Sequence, residues 1–131
     1  MFKEFTIATR QQTELINIDS EVQRIVSESG IEDGLCCIFI PHTTAGITIN
    51  ENADPDVVRD IIMETGKVIP LSDGYRHMEG NSAAHIKSSL FGASETVIIR
   101  SGRLHFGTWQ SLFFCEFDGP RRRKVFVKIL E

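Results

Sequence analysis

Residues 109–130 read WQSLFFCEFDGPRRRKVFVKIL, in which two apolar runs of strand length flank a short polar segment. Both runs, WQSLFFCEF and KVFVKIL, are rich in β-branched or aromatic residues, which favour strands. The segment Asp118–Pro120 between them is typical of a turn, because glycine reaches backbone angles that are closed to other residues. We therefore predict a β-hairpin in this part of the chain.

The same reasoning extends to the rest of the chain. It predicts two hairpin-linked strands within the first 18 residues, then strands at GLCCIFI (34–40), ITIN (47–50) and SETVIIR (94–100). Capping residues and apolar spacing predict three helices: one capped by Asp19 and ended by Gly30, one from Asp54-Pro55 to near Gly66, and one from Asn81 to about Phe91. Hairpin-linked strands with few helices indicate a single α+β domain over residues 1–131, with a mainly antiparallel or mixed, sandwich-like sheet.

Length and charge exclude several classes of protein. The chain has 131 residues, which suits one compact domain, and its 14 Lys plus Arg against 18 Asp plus Glu give a net charge of −4. No apolar run approaches the roughly 20 residues that a membrane-spanning helix needs. The only basic run, residues 121–124, has no interleaved aromatics, so nucleic-acid binding is not expected. We expect neither a membrane nor a nucleic acid as a partner.

The cysteines and the first residues bear on the compartment. Cys36, Cys37 and Cys115 are an odd number, and two of them are adjacent in apolar surroundings, which does not fit a disulfide framework. The opening MFKEFTIATR contains Glu4 and alternates in polarity, so it resembles a strand rather than a signal peptide. We expect reduced, mostly buried thiols in a cytoplasmic protein.

Three polar clusters contain the residues of chemical interest. They are residues 42–46 with 50–52 and 54, residues 75–81 with His85 and Lys87, and residues 107–110 with 116–121. At 100° per residue, the third helix has an apolar face and an opposite polar face. The apolar face holds Ala83, Ile86 and Leu90, and the polar face holds Asn81, His85 and Ser88. His85 is therefore expected to point away from the apolar side.

Histidines in these clusters leave two interpretations open. His42, His77 and His85, with Glu79 nearby, have the residue types of a three-imidazole metal site with an open position. However, no compact metal motif is present, and histidines that cap a loop, donate a structural hydrogen bond or are exposed also fit the sequence. His105 is expected at the surface.

Other polar and aromatic residues also have alternative roles. Trp109 is expected in the core, with the flanking Thr108 and Gln110 on the other sheet face, where they can line a polar cleft. Arg121, directly after the turn, is suited to bidentate binding of a phosphate or carboxylate. Arg122 and Arg123 are expected to be solvated.

These strings resemble the YjbQ-like family of small proteins, some of which are described as secondary thiamine-phosphate synthases. The resemblance rests on HTTAGITINENADPDV (42–57), HMEGNSAAHIKSSL (77–90) and GTWQSLFFCEFDGPR (107–121). It covers nearly the whole chain from about Gly34, and the opening strands more loosely. Departures are small: His105 stands where an apolar residue is more usual, and Ser111 where glycine is common.

The resemblance implies a YjbQ-like fold, a homotrimer with clefts near subunit boundaries, and a synthase activity. That reaction couples a hydroxymethylpyrimidine diphosphate to a thiazole phosphate and releases pyrophosphate. It needs cations for the departing pyrophosphate, a dry cleft for the pyrimidine and a carboxylate that manages positive charge or a proton. Arg121 and Lys87, with a divalent metal, are candidates for stabilising the pyrophosphate. Trp109 or Tyr75 could stack on the pyrimidine, and Glu79 is the candidate carboxylate.

The full set of candidate residues is therefore as follows. Catalytic candidates are Glu79, Lys87, Arg121 and Asn50; substrate-binding candidates are Thr43, Thr44, Asn81, Thr108, Trp109 and Gln110; metal-ligand candidates are His42, His77 and His85. The metal is zinc-like if the imidazoles bind it, or magnesium if the diphosphate does. Two alternatives stay open: a trimeric metal- or anion-binding protein with incidental synthase activity, and a metal-dependent hydrolase of small molecules.

Overall fold

The computed structural model describes residues 1–131 as eight strands and three helices. The strands are β1 (Phe2–Ala8), β2 (Glu14–Asn17), β3 (Asp33–Phe39), β4 (Ala45–Glu51), β5 (Ser94–Arg100), β6 (Arg103–Leu104), β7 (Gln110–Glu116) and β8 (Arg122–Leu130). The helices are α1 (Asp19–Ser29), α2 (Pro55–Val68) and α3 (Ser82–Phe91). The predicted α+β class with three helices is confirmed.

The strands form two antiparallel sheets. One has five strands in the order β1-β8-β3-β5-β6, and the other has three in the order β2-β7-β4. β7 is central in the small sheet and pairs with β4 from Ala45 opposite Glu116 to Glu51 opposite Gln110. This long ladder connects the loop before β4 with the loop after β7.

The predicted hairpins at both ends of the chain are wrong. β1 pairs with β8 and β2 pairs with β7, so the first two strands lie in different sheets, as do β7 and β8. The segment after β7 is a corner between sheets, and it is tightly packed. A Cβ at Gly119 would lie 2.3 Å from the Gln11 carbonyl oxygen, so only glycine fits there. Only β5 and β6 form a hairpin of consecutive strands.

The main core lies between the sheets and against α1. It is a cluster of 16 buried residues, among them Ile38 of β3, Ile47 of β4, Phe114 of β7 and Val127 of β8. Burying a side chain of this size contributes roughly 1.5–3 kcal/mol relative to leaving it exposed. The core therefore fixes both sheets against each other, and with them the loops at their ends.

Two of the predicted helix signals are confirmed. Gly30 ends α1 in the left-handed conformation, with φ of 71°, and Asp54 caps α2 by accepting the Asp56 N–H at 2.9 Å. Asp19 is the first residue of α1 and not its cap. Its own N–H donates to Asn17 Oδ1, and its carboxylate accepts from the Leu112 N–H of β7, which ties the helix to the small sheet.

α3 packs with a different face from the one predicted. Its buried residues are Ala83, Ala84, Lys87 and Ser88. Ala83 of the predicted apolar face is buried, but Ile86 is 39% exposed and Leu90 is 70% exposed, so its two large residues point outward. Small side chains permit close approach to β4, and Ser88 Oγ donates to the Ala45 carbonyl at 2.7 Å. Close backbone approach therefore decides the orientation of this helix.

Two further observations concern the chain as a whole. None of the helices combines the length and the apolar character that crossing a bilayer requires. Cys36 and Cys115 are buried, Cys37 is half-buried, and all three are free thiols, as predicted. Burial raises the pKa of Cys36 to about 12, so this thiol stays protonated.

Candidate functional site

A cavity of about 670 Å³ lies where the loop after β3, the segment before α3 and the corner after β7 meet. It is lined by Phe39, Ile40, Pro41, His42, Thr43, Thr44, His77, Glu79, Asn81, His85, Ala93, Asp118, Arg121 and Arg123. We call it the histidine cavity, because three of the four histidines of the chain line it. Its lining residues come from segments that are far apart in the sequence.

His42 is fixed by the backbone of β8. Its Nε2 accepts the Lys124 N–H at 2.8 Å, so Nδ1 is the only ring nitrogen left for other partners. Burial, and then the positive charge of Arg123, lower the pKa of His42. The imidazole is therefore held neutral, with its remaining N–H as a donor.

His77, Glu79 and His85 form a second group in the lining of the histidine cavity. The rings of His77 and His85 meet edge to face, with centroids 5.4 Å apart. Glu79 Oε1 lies 3.8 Å from His77 Nε2, and both side chains are well exposed. One carboxylate and two imidazoles can donate and accept hydrogen bonds with a polar ligand.

A buried ion pair supports the floor of the cavity. Arg123 donates from Nε and Nη2 to the two carboxylate oxygens of Glu116, and these side chains are only 3% and 0% exposed. Arg123 Nη2 also donates to the carbonyl and the hydroxyl of Thr44, at 3.2 and 2.8 Å. Glu116 accepts further bonds from the Thr9 hydroxyl and the Asp118 N–H. Each Glu116 carboxylate oxygen thus accepts two hydrogen bonds, which compensates the burial of this pair.

Opposing effects act on the Glu116 carboxyl. Burial by itself would raise its pKa, but the hydrogen bonds from Arg123, the Asp118 backbone and Thr9, together with the charge of Arg123, outweigh burial. The net result is a lowered pKa, so Glu116 is ionised at neutral pH. The pair holds the start of β4 and the end of β7 at a fixed separation.

Asp118 connects three parts of the histidine cavity. Its Oδ2 accepts from Arg121 Nη2 at 3.0 Å and from Asn81 Nδ2 at 2.9 Å, and its carbonyl accepts from Arg121 Nε at 2.9 Å. Arg121 keeps Nη1 free and is half exposed. Asn81 Oδ1 is the one buried side-chain polar atom without a partner. These groups provide a cation and an unused acceptor at the cavity wall.

The structure brings eight of the candidate residues to this cavity. They are His42, Thr43, Thr44, His77, Glu79, Asn81, His85 and Arg121. Lys87 instead lines a separate cavity. Asn50 and Gln110 lie at the far end of the β4–β7 ladder, with Thr108 and Trp109 in the turn before β7. Asn50 is five residues along β4 from Ala45, a distance of about 17 Å at the usual rise per residue of a strand.

Two sequence predictions of burial need correction. Trp109 is 62% exposed and does not belong to the core. Arg123 is buried, whereas the sequence predicts a solvated position. The alternation of β8 contains the missing signal, since Arg123 shares a face with the buried Val125 and Val127, and a buried arginine requires an acid such as Glu116 in LFFCEF. His105 is exposed, as predicted.

The donor set of the histidine cavity does not fit a metal centre. No three His, Cys, Asp or Glu side chains are arranged as ligands for one ion. His42 Nε2 is already hydrogen-bonded to the backbone, and the His77 and His85 rings pack against each other. As arranged, these residues do not fit a metal ion.

The family model described as UPF0047 protein YjbQ-like matches residues 3–131. A UPF0047 protein of Methanocaldococcus jannaschii is 52% identical over 130 residues, covering 99% of this chain and 94% of that protein. The UPF0047 protein YugU of Bacillus subtilis is 52% identical over 131 residues, covering 99% of each.

Solved structures give the same result. An uncharacterised YjbQ/UPF0047 family protein of Clostridium acetobutylicum is 55% identical with a TM-score of 0.96, covering 98% of this chain and 99% of that one. A YbjQ-like protein of unknown function from Sulfolobus solfataricus is 36% identical with a TM-score of 0.94, covering 98% and 95%. The fold is therefore shared with these proteins, which are described as uncharacterised or of unknown function.

Proposed function

This chain belongs to the UPF0047 family of YjbQ-like proteins, and on that premise we propose that its histidine cavity is the active site of a thiamine-phosphate-synthase-type transferase. The observation that carries the proposal is the meeting of His42, His77, His85, Glu79 and Arg121 in one cavity of about 670 Å³. That volume is within the range of small-molecule sites. The substrate class is a phosphate-bearing small molecule.

The wall formed by Arg121 and α3 is suited to a phosphate group. Arg121 has free N–H groups beyond those bound by Asp118, and guanidinium matches the geometry of phosphate oxygens. The first N–H groups of α3 have no partner within the helix, and Asn81 at that end lines the cavity. Together these groups would stabilise the negative charge of a departing pyrophosphate.

The group of His77, Glu79 and His85 is suited to the carbon side of the reaction. When the C–O bond to the diphosphate breaks, positive charge develops on the pyrimidine methylene carbon, and the thiazole nitrogen then forms the new C–N bond. The Glu79 carboxylate stabilises that positive charge, and the adjacent imidazoles donate hydrogen bonds to phosphate oxygens. Pyrophosphate leaves with both electrons of the broken bond.

The first experiment measures thiamine-phosphate formation from the two substrates by purified protein. We expect His85→Ala and Glu79→Gln each to lower the rate at least about 100-fold, the usual loss when one group that stabilises charge in the transition state is removed. His105→Ala and Glu28→Gln make the same changes at exposed positions outside the cavity and should retain the rate. Trace turnover that is unchanged by all four substitutions would refute the transferase proposal and favour a binding protein.

We also propose that the chain forms the homotrimer implied by the family resemblance. The apolar residues on one side of α2, Val57, Val58, Ile61 and Ile62, are only half-buried, and Met63 of the same helix is 47% exposed. Met78, Leu90 and Trp109 are also exposed, at 95%, 70% and 62%. Large exposed apolar side chains of this kind are candidates for burial in an interface between chains. Light scattering after gel filtration should give three times the chain mass of 14.7 kDa, and a single-chain mass at all concentrations would contradict the trimer.

A further inference from the structure

Lys87 is a largely buried residue whose ammonium has no hydrogen-bond or ion-pair partner within the chain but reaches the solvent of a cavity. It lies on α3, is 5% exposed and belongs to none of the ion pairs of the chain. Its nearest charge-stabilising contact is the face of the Phe117 ring, whose centroid is 5.9 Å from Nζ. An ammonium that is only partly hydrated costs free energy, and an acceptor or an opposite charge in the cavity would offset that cost. The burial also lowers the pKa of Lys87.

Lys87 lines a cavity of about 500 Å³ that is separate from the histidine cavity. The other lining residues are Gln11, Gln12, Thr13, Ile62, Gly66, Pro70 and Leu71. None of them is acidic, so Lys87 is the only charged residue in the wall. The glutamine amides and the threonine hydroxyl add neutral hydrogen-bond donors. This wall contrasts with the histidine cavity, whose arginines are each paired with an acid.

We propose that the Lys87 cavity is a second binding site, which takes a small oxyanion, either a phosphate or a carboxylate. The anion would compensate the Lys87 ammonium, and the donors of Gln11, Gln12 and Thr13 would bind its remaining oxygens. The site is independent of the transferase proposal, because no residue lines both cavities.

The test is calorimetric titration of the intact protein with inorganic phosphate and, separately, with acetate. Lys87→Met keeps the length of the side chain and removes its charge, and Lys128→Met makes the same change at an exposed position of β8. We expect Lys87→Met to weaken one binding event at least tenfold and Lys128→Met to leave it unchanged. The anion that binds to wild-type protein more tightly identifies the class.

The outcomes separate the two cavities. If both cavities bind phosphate, the wild-type protein binds two phosphate ions per chain. Lys87→Met then loses one of these binding events, and Arg121→Ala loses the other. If the histidine cavity binds no phosphate, the wild-type protein binds one phosphate ion per chain and Lys87→Met binds none. That result supports the Lys87 site and argues against the proposed transferase. The second site is overturned if wild type and Lys87→Met bind the anions equally. It is also overturned if Arg121→Ala, which keeps Lys87, binds neither anion.

The melting temperature of Lys87→Met shows whether the substitution impairs folding. Because Lys87→Met removes an uncompensated charge, its melting temperature in anion-free buffer should equal or exceed that of wild type. Phosphate should then raise the melting temperature of wild type by more than that of Lys87→Met. An equal rise in both proteins would overturn the site.

Discussion

Replacing Glu116 with alanine is expected to lower the free energy of unfolding by about 3–5 kcal/mol, the usual loss when one partner of a buried ion pair is removed. Arg123, which is 3% exposed, would be left without an opposite charge, and the Asp118 N–H would lose its acceptor. This is a large fraction of the stability of a typical domain. Urea unfolding at pH 7 measures the loss.

Two matched variants show whether the ion pair is the cause. Glu28→Ala removes an exposed glutamate from α1 and should change the free energy by less than about 0.5 kcal/mol. Glu116→Leu combined with Arg123→Met removes both charges and should recover much of the loss, since no buried charge is left unpaired. A single Glu116→Ala variant that loses under about 1 kcal/mol would contradict this account.

The same pair predicts a dependence on acid. The folded pKa of Glu116 lies below its usual value of 4.5. Its stabilising contribution is therefore complete above that usual value and is lost as the pH falls through the lowered folded pKa, because the unfolded chain binds the proton first. The Glu116→Leu, Arg123→Met protein should lose less stability over this acid range.

The strands and two helix ends could be predicted because their signals are local. Asp54-Pro55 begins α2 and Gly30 ends α1 for reasons that involve only a few neighbouring residues. Strand pairing is not local. The Gly119 corner has the composition of a hairpin turn, but Gln11 and Thr9 pack against it from the opposite end of the chain, so it leads into the other sheet.

The histidine cavity could be predicted only in part, for a related reason. His42, Glu79 and His85 belong to polar clusters, and the composition of those clusters is visible in the sequence itself. Arg123 and Glu116 could not be recognised as a pair, because each lies within an otherwise ordinary strand. Lys87 is only two residues from His85, yet α3 directs the two side chains to different cavities.

Arg121→Ala is expected to weaken the binding of inorganic pyrophosphate roughly 10- to 150-fold, which corresponds to the 1.5–3 kcal/mol of hydrogen bonds to a charged group. Arg121 is half exposed and its pair with Asp118 lies near the surface, so the free energy of unfolding should fall by about 1 kcal/mol at most. Arg122→Ala provides the control, because Arg122 is the exposed neighbour and does not line the cavity. Calorimetric titration of both variants measures the difference.

A variant at Asp118 distinguishes two possible causes of the weaker pyrophosphate binding. Without Arg121, the Asp118 carboxylate is left with Asn81 as its only side-chain partner and repels a phosphate in the same cavity. Adding Asp118→Asn to Arg121→Ala removes this repulsion but does not restore the guanidinium donors. We therefore expect the double variant to recover part of the affinity and to stay weaker than wild type. Full recovery would mean that Arg121 only neutralises Asp118, and unchanged affinity in Arg121→Ala would exclude Arg121 from phosphate binding.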